Sequence, residues 1–495
     1  MRTVTGPTDH VVVVGAGLGG LACALRLAGT GRRVTVLERA DVPGGRLGQL
    51  ALEGYRFDTG PTVLTMPDLL EDTLHAAGER LSDWLDLVRL DPAYRAHFAD
   101  GSTLDLRAST TGTAAEIARL CGPREADGYL RFVGYAHKLY QLEWNSFIER
   151  NFDHPWDLVR ADLARLAACG GFRRLSAKVA QFLHDPRTQR VFSFQSLYAG
   201  VPPHRALALY AVIAYLDTVA GVYFPRGGMH AIATALAGAA VKHGVTIDYG
   251  REVTSVEICG SRARAVQTSD GERVAADVVV LNPDLPVAYR DLLHRPLRRR
   301  LRYSPSCMLL HLGSPRAYRG TSHHNIHFGN AWQAAFDDIT KRGNLMADPS
   351  LLVTIPTQTE PALAPPGRHV YYILAPVPNL GTAIDWPRTG PAYADDLLRV
   401  LEARGYPRLG EAAEARHIVT PADWAEAGMA AGTPFAAAHT FGQSGPLRPG
   451  NLAPGVDNVV LVGSGTQPGV GIPMVLVSAK LAAQRVAAAP GREAA

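Results

Sequence analysis

Three glycines, Gly15, Gly17 and Gly20, carry the first chemistry that the chain offers. They stand in VVVVGAGLGG, where four valines (11–14) lead into the turn and an Ala- and Leu-rich segment leads out of it. This is G-x-G-x-x-G between a buried strand and a helix. The first glycine allows the tight turn, the second lets backbone approach a pyrophosphate, and the third lets helix and strand pack closely. The helix N-terminus presents unpaired N–H groups to the diphosphate. A second strand over 33–37 ends on Glu38, a carboxylate suited to the hydroxyls of an adenosine ribose. The spacing predicts a site for an ADP-containing dinucleotide.

Two further glycine runs belong with this unit. Gly44-Gly45-Arg46 follows Glu38 closely, pairing a close backbone approach with a cation. Near the other end, a strand over 458–462 leads into GSGTQPGVGIP (463–473) and then a helix over 474–487. That is a second strand–glycine loop–helix unit, and its helix N-terminus also suits a polarised or anionic group.

The elements that must position these loops follow in order. Residues 55–62 read as a strand entering a glycine-proline turn, 69–77 as a helix, and 94–106 as a hairpin around Asp100-Gly101. From 113 to about 215 the apolar spacing is helical. Within it, 163–182 mixes Arg165, Arg173, Arg174 and Lys178 with Leu and Ala: a basic amphipathic surface for anionic lipid, or a solvated face over the core. Residues 207–223 read as one buried or lipid-facing helix lining an apolar site. From 224 a helix over 229–243 and strands over 245–247, 253–258, 265–266 and 276–281 are expected to continue the first sheet. Residues 306–446 are expected to form a second sheet, and the tail 490–495 to be disordered.

Bulk composition narrows the class. A 495-residue chain with 47% hydrophobic and 19% charged residues forms cores, with room for two or three domains. A net charge of +4 is too small and dispersed for a nucleic-acid partner. The five cysteines are scattered, with no CxxC pair, and no His, Cys or carboxylates stand at ligand spacing; no disulfide framework and no metal are predicted, and the expected compartment is the cytoplasm. The N-terminal residues have no apolar signal core. The apolar stretch 206–222 is short and interrupted by Asp217, so no transmembrane helix is expected.

Five stretches together resemble the bacterial-type phytoene desaturases, FAD-dependent carotenoid desaturases of the amine-oxidase-like flavoprotein superfamily. They are GPTVLT from Gly60, FPRGGM from Phe224, HHNIHFG from His323, YYILAPVPNLGTAIDW from Tyr371, and GSGTQPGVGIP from Gly463. The chain departs from the family pattern at Ser464 and Gln467, where Ala and His are usual, and at Met474, where a small residue is common. The resemblance implies an α/β (α+β overall) architecture: a Rossmann-like, discontinuous FAD-binding domain (1–90, 224–290, 448–495), a mixed-sheet substrate domain (91–112, 291–447) and a helical, membrane-facing region (113–223). The FAD set it implies is Gly15, Gly17, Gly20, Glu38, Arg39, Gly45, Arg46, Gly60, Pro61, Thr62, Val253, Gly463, Gly465, Gly471, Ile472, Pro473 and Met474.

The reaction implied is successive desaturation of 15-cis-phytoene towards neurosporene or lycopene. Removing two hydrogens from an unactivated chain requires a two-electron acceptor, which no side chain supplies. A forty-carbon hydrocarbon offers no hydrogen-bonding group, so phytoene and partly desaturated carotenoids would be recognised by an apolar tunnel. Such substrates live in the bilayer, so the enzyme is expected to dock on a membrane lipid surface and pass electrons to oxygen or a quinone. Asp157 and Arg160 resemble a family Asp-x-x-Arg segment; on one helix face they read either as a catalytic pair or as a surface ion pair. His323 and His324 also resemble a family position, and on a strand they would point to opposite faces. Alternatives are a carotenoid isomerase, a ketolase, a desaturase of another polyene, and a non-catalytic isoprenoid-binding protein such as the GDP-dissociation inhibitors. A nicotinamide dehydrogenase fits less well, because the two glycine loops suit one flavin.

Overall fold

The computed structural model describes residues 1–489, so the tail 490–495 lies outside the described residues. The four valines fall in the strand β1 (His10–Val14), followed by the helix α1 (Leu18–Ala28) and the strand β2 (Arg33–Leu37). β1 is the middle of a five-stranded parallel sheet, ordered Val459–Leu461, Val278–Leu281, β1, β2, Thr246–Asp248. Both faces of β1 are covered, which is why it reads as unbroken valine. Val11 and Val13 pack with α1 and the helices Ala231–Lys242 and Ile472–Ala487, while Val12 and Val14 join a separate core with Val253 and Val266.

That second core corrects one expectation. Thr246–Asp248 and Val278–Leu281 do join the first sheet, but Val253–Cys259, Arg262–Thr268 and Arg273–Ala275 form their own antiparallel sheet over its other face. Alternating burial in those strands fits a sheet covered on one side only, a pattern that a doubly covered parallel strand does not show.

A seven-stranded mixed sheet runs Ala415–Val419, Ser306–Ser314, His369–Val377, Leu351–Thr354, His324–His327, Tyr94–His97, Thr103–Leu106. Its one parallel pairing joins His324–His327 to Tyr94–His97. Period-two alternation splits the YYILAP stretch: Tyr371 and Ile373 face the core under the helix Trp386–Ala403, and Tyr372 and Leu374 face a cavity.

The stretch expected to be helical is broken more often than its periodicity implies. After Thr110–Cys121 and Pro123–Glu143 come short pieces. Residues 163–182 are not one amphipathic helix but parts of Ala161–Ala168 and Leu175–Val179, parted by a turn in which Gly170 takes φ +77°. Residues 207–223 are helical from Ala208 to Ala220, tightly wound over Ala208–Tyr210, regular over Ala211–Tyr215 and wide over Leu216–Ala220, and then enter the strand Tyr223–Pro225. Among the described residues no helix is long and apolar enough to cross a membrane.

Candidate active site

The parallel sheet sets the site, because the loops leaving the C-terminal ends of its strands meet above it. Gly15 takes φ +98° and donates its N–H to Leu37 O at 2.8 Å, tying the glycine turn to the end of β2. A Cβ at Gly20 would run into the Gly15 carbonyl oxygen, the close helix–strand approach that the third glycine permits. α1 starts behind Gly17 with no side-chain cap and no acid in its first turn, leaving its first N–H groups for an anion. Glu38 is buried and accepts N–H groups from Ala16 at 2.6 Å and Ala40 at 2.9 Å, which holds its carboxylate beneath that turn.

The Gly44–Arg46 loop lies against the first one through Gly44 N–H to Ala16 O at 2.9 Å. Arg46 then reaches two distant segments: Ser464 Oγ at 2.9 Å and Asp284 Oδ1 at 2.7 Å. The other oxygen of Asp284 accepts the Ala430 N–H at 3.0 Å. Ser464, a departure from the family pattern, is therefore an acceptor for the arginine of the second loop. The C-terminal loop is held from behind by Arg448, which is 2% exposed and donates to Ser464 O at 2.6 Å, Thr466 O at 3.0 Å and Ala437 O at 3.0 Å. Burial lowers Arg448 to about 10, so it remains a cation at neutral pH. Gln467, the other departure, is buried; its Nε2 donates weakly to Gly445 O and Arg448 O at 3.4 Å, and it does not line the cavity.

All these loops open on one cavity of about 1180 Å³. Of the residues expected from sequence, Gly15, Gly17, Glu38, Arg39, Gly45, Arg46, Gly60, Pro61, Thr62, Val253, Gly463, Gly471, Ile472, Pro473 and Met474 line it. Gly20 and Gly465 stand behind it: Gly20 against Gly15, and Gly465 where a Cβ would lie 2.8 Å from Leu285 Cγ. The far wall is apolar, with Leu207, Tyr210, Ile213 and Leu216 from the broken helical stretch facing Tyr372 and Leu374 of the seven-stranded sheet.

Asp157 and Arg160 do not form the expected pair. Asp157 sits in the single turn Pro155–Leu158 and accepts the N–H groups of Asp153 at 2.9 Å and His154 at 3.0 Å. Arg160 is exposed at the start of the helix Ala161–Ala168, and neither side chain lines the cavity. The turn ends between them, so a spacing of three no longer means a shared face. His323 and His324 also stay outside the cavity. His323 precedes the strand, so the rings are not on opposite faces but lie 4.5 Å apart, centroid to centroid. Burial pushes His323 down to about 3 and His324 well below the usual imidazole range.

Sequence reasoning missed Asn282, Asp284, Glu143, Asp217 and His439 on the cavity wall. Asn282 and Asp284 had a usable signal: they follow directly on Val278–Leu281, which lies between β1 and Val459–Leu461, so their loop falls between the two glycine loops. His439 had none. Its ring rests on Gly469, where a Cβ would run into it.

The sequence pattern of flavin containing amine oxidoreductases matches residues 18–487. Phytoene dehydrogenase of Streptomyces griseus is 57% identical over 98% of this chain and 96% of its own length. The zeta-carotene-forming phytoene desaturase of Myxococcus xanthus is 38% identical over 96% and 93%. The chain belongs to the flavin containing amine oxidoreductases, in their phytoene desaturase branch. It is an FAD-dependent oxidoreductase. Solved structures share the fold at low identity. An oxidoreductase from Methanosarcina mazei superposes with a TM-score of 0.62 at 18% identity, over 95% of this chain and 99% of that one. Putrescine oxidase gives 0.61 at 17%, over 97% and 99%.

The residues of this flavoprotein fit that cofactor. The two glycine loops leave a cradle in which a Cβ at Gly19 would lie 2.7 Å from Asn282 Oδ1 and 3.3 Å from Gly463 Cα. Asn282 Oδ1 and Arg46 Nε, both buried beside this cradle, have no protein partner. An acceptor and a donor left open in one polar cleft suit the carbonyl, ring-nitrogen and diphosphate groups of a flavin dinucleotide.

Proposed function

We propose that this flavoenzyme desaturates 15-cis-phytoene in successive steps towards neurosporene or lycopene. The observation that carries the reading is the single cavity joining the glycine loops to an apolar wall, since a hydrocarbon substrate needs shape and not hydrogen bonds. The relatives' names supply the substrate class: phytoene for the Streptomyces griseus and Myxococcus xanthus proteins.

In this reading Glu38 meets the adenosine ribose, and the first turn of α1 with Gly15 and Gly17 meets the diphosphate. Arg46, Thr62 and the Gly471–Met474 turn meet the flavin end. Bound there, FAD supplies a two-electron acceptor. The protein's share is to hold the polyene straight along the wall at Ile213, Leu216 and Leu374, and to exclude water from the reacting carbons.

The mouth of the cavity supports docking on a bilayer. Phe441 lines the cavity and is 67% exposed, Phe172 packs edge-on to it, and Trp156 nearby in the chain is 81% exposed. Arg165, Arg173 and Arg174 are exposed on the stretch of chain that carries Phe172, and aromatic and basic groups together favour anionic lipid. Oxygen or a membrane quinone is the terminal acceptor in this reading.

The test is product analysis after flavin-loaded protein is incubated with phytoene in anionic liposomes and an electron acceptor. New polyene absorbance with stepwise products supports the reading. Unchanged phytoene with a normal flavin spectrum would overturn it in favour of another carotenoid-modifying reaction, and a colourless protein would point to isoprenoid binding alone.

A further inference from the structure

A cavity wall built for a hydrocarbon has no use for a carboxyl group in binding, yet Asp217 stands in it. Asp217 is 2% exposed and lies in the turn Leu216–Ala220. Its Oδ1 accepts the Tyr94 hydroxyl at 2.9 Å, and its Oδ2 has no donor. The titratable groups that face it are Tyr94, from the strand Tyr94–His97, and Tyr198, which also lines the cavity; no cation pairs with it among the described residues.

Asp217 is also linked to the cofactor end. The Tyr94 ring lies 5.3 Å from that of His324, and His324 Nδ1 shares a hydrogen bond of 2.9 Å with Thr354 Oγ1. Thr354 in turn donates to Thr62 Oγ1 at 3.3 Å, and Thr62 lies on the cavity wall in the Gly60–Pro61–Thr62 loop. A buried run of polar side chains and one ring contact thus crosses three adjacent strands of the seven-stranded sheet, from the carboxyl to the Gly60–Thr62 loop. An unpartnered carboxylate oxygen is costly in an apolar wall, so the site keeps a group that its substrate's binding does not require.

We propose that Asp217 is the proton acceptor of the desaturation, an inference that rests on the desaturase reading above. With FAD bound as the hydride acceptor, the C–H bond on the carbon next to the hydride donor would break. Its proton passes to Asp217 Oδ2, and its electron pair becomes the second bond of the new C=C. The balance would be one hydride for the two-electron acceptor and one proton for the carboxyl. Tyr94 orients the carboxylate and stabilises its charged form. Burial raises Asp217 to about 7, near the value at which a general base works best at neutral pH.

Asp217→Asn separates catalysis from structure, because the amide oxygen still accepts the Tyr94 hydroxyl. The assay is anaerobic bleaching of the flavin by phytoene in liposomes, followed across pH with the holoenzyme. The wild-type rate is expected to rise with pH, with an inflection near 7. Asp217→Asn should keep its flavin spectrum and bleach about 10²–10⁴-fold more slowly. Tyr94→Phe removes a bond to the charged form and should move the inflection to higher pH. Independently of turnover, the infrared carbonyl band of a protonated carboxyl should titrate near 7 in the wild type and be missing in Asp217→Asn.

An Asp217→Asn rate close to wild type, or a flat wild-type profile, would overturn the assignment. If Asp217→Asn fails to hold flavin, the wild-type inflection and its displacement in Tyr94→Phe decide the matter. Wild-type flavin that phytoene never bleaches would sink the desaturase reading itself, a result distinct from a slow Asn variant beside an active wild type.

Discussion

Replacing Arg448 by methionine tests whether the flavin end of the site is held from behind. The guanidinium is 2% exposed and faces backbone carbonyls: Ser464 and Thr466 of the C-terminal glycine loop, and Ala437. Methionine fills much of the same space but donates nothing, so three carbonyls lose their donors. A buried polar group left unsatisfied costs about 1–3 kcal/mol, which puts the gross loss at roughly 3–9 kcal/mol. Burying the guanidinium is itself costly by several kcal/mol, and Arg448→Met removes that cost. A net destabilisation of about 3 kcal/mol remains. Because two of the three carbonyls belong to the loop, most of that loss should appear as weaker flavin binding. Converted at about 1.4 kcal/mol per decade, it weakens flavin affinity by up to roughly 100-fold. The assay is a flavin fluorescence titration of deflavinated protein, with a denaturant midpoint measured on the same sample. Flavin affinity and midpoint both equal to wild type would refute the view that Arg448 frames the loop.

Four further outcomes are expected. Asp284→Asn keeps the size of the side chain but removes the charge facing Arg46, whose side chain is 31% exposed. A charge-assisted bond of that partly screened kind is worth about 1–2 kcal/mol, and flavin titration should show roughly tenfold weaker binding. Trp156→Ser with Phe441→Ser should lower co-sedimentation with anionic liposomes while the flavin spectrum stays unchanged; undiminished co-sedimentation would remove the docking face proposed at the cavity mouth. Asp157→Asn should leave turnover unchanged and lower the denaturant midpoint. The N–H groups of Asp153 and then His154 hold the Asp157 carboxyl below its usual range, so its stabilising effect is present above the unfolded carboxylate value of about 3.9 and is lost as pH falls through the lowered folded value. Asp217 has the opposite sign. Its folded value is raised to about 7, so its contribution is fully present below about 3.9 and is lost as pH rises through 7. Asp217→Asn removes that dependence, and the variant should gain on the wild type by roughly 4 kcal/mol between pH 4 and pH 8 in unfolding titrations.

Local chemistry made much of the fold legible. Four valines bounded by Gly15 are a doubly covered strand wherever they occur, and the run at 459–461 is another, with each glycine loop following its strand directly. The positions of those loops at the cavity were readable for the same reason, since each is placed by its own turn. Legibility failed where a periodic pattern was interrupted. The apolar spacing over 163–182 suggested a continuous helix, but Gly170 at φ +77° parts it in two, whereas 207–223 stays helical as far as Ala220 and stops at Gly221, φ +105°. The same failure misplaced Asp157 and Arg160, whose spacing carries meaning only on a helix that the chain does not form there.

By itself the sequence determined that two glycine loops, at Gly15–Gly20 and Gly463–Gly471, each stand between a strand and a helix, because turn geometry and helix N-termini are set within a few residues. Only the tertiary structure decided what those loops meet. Arg46 finds Asp284 and Ser464, 238 and 418 residues away. Asp217 finds Tyr94 across 123 residues, on a mostly apolar wall that also carries Glu143 and His439. No spacing encodes such encounters, since a buried charge or an orphaned oxygen becomes meaningful only once distant strands have stacked around it and excluded the water that would have satisfied it.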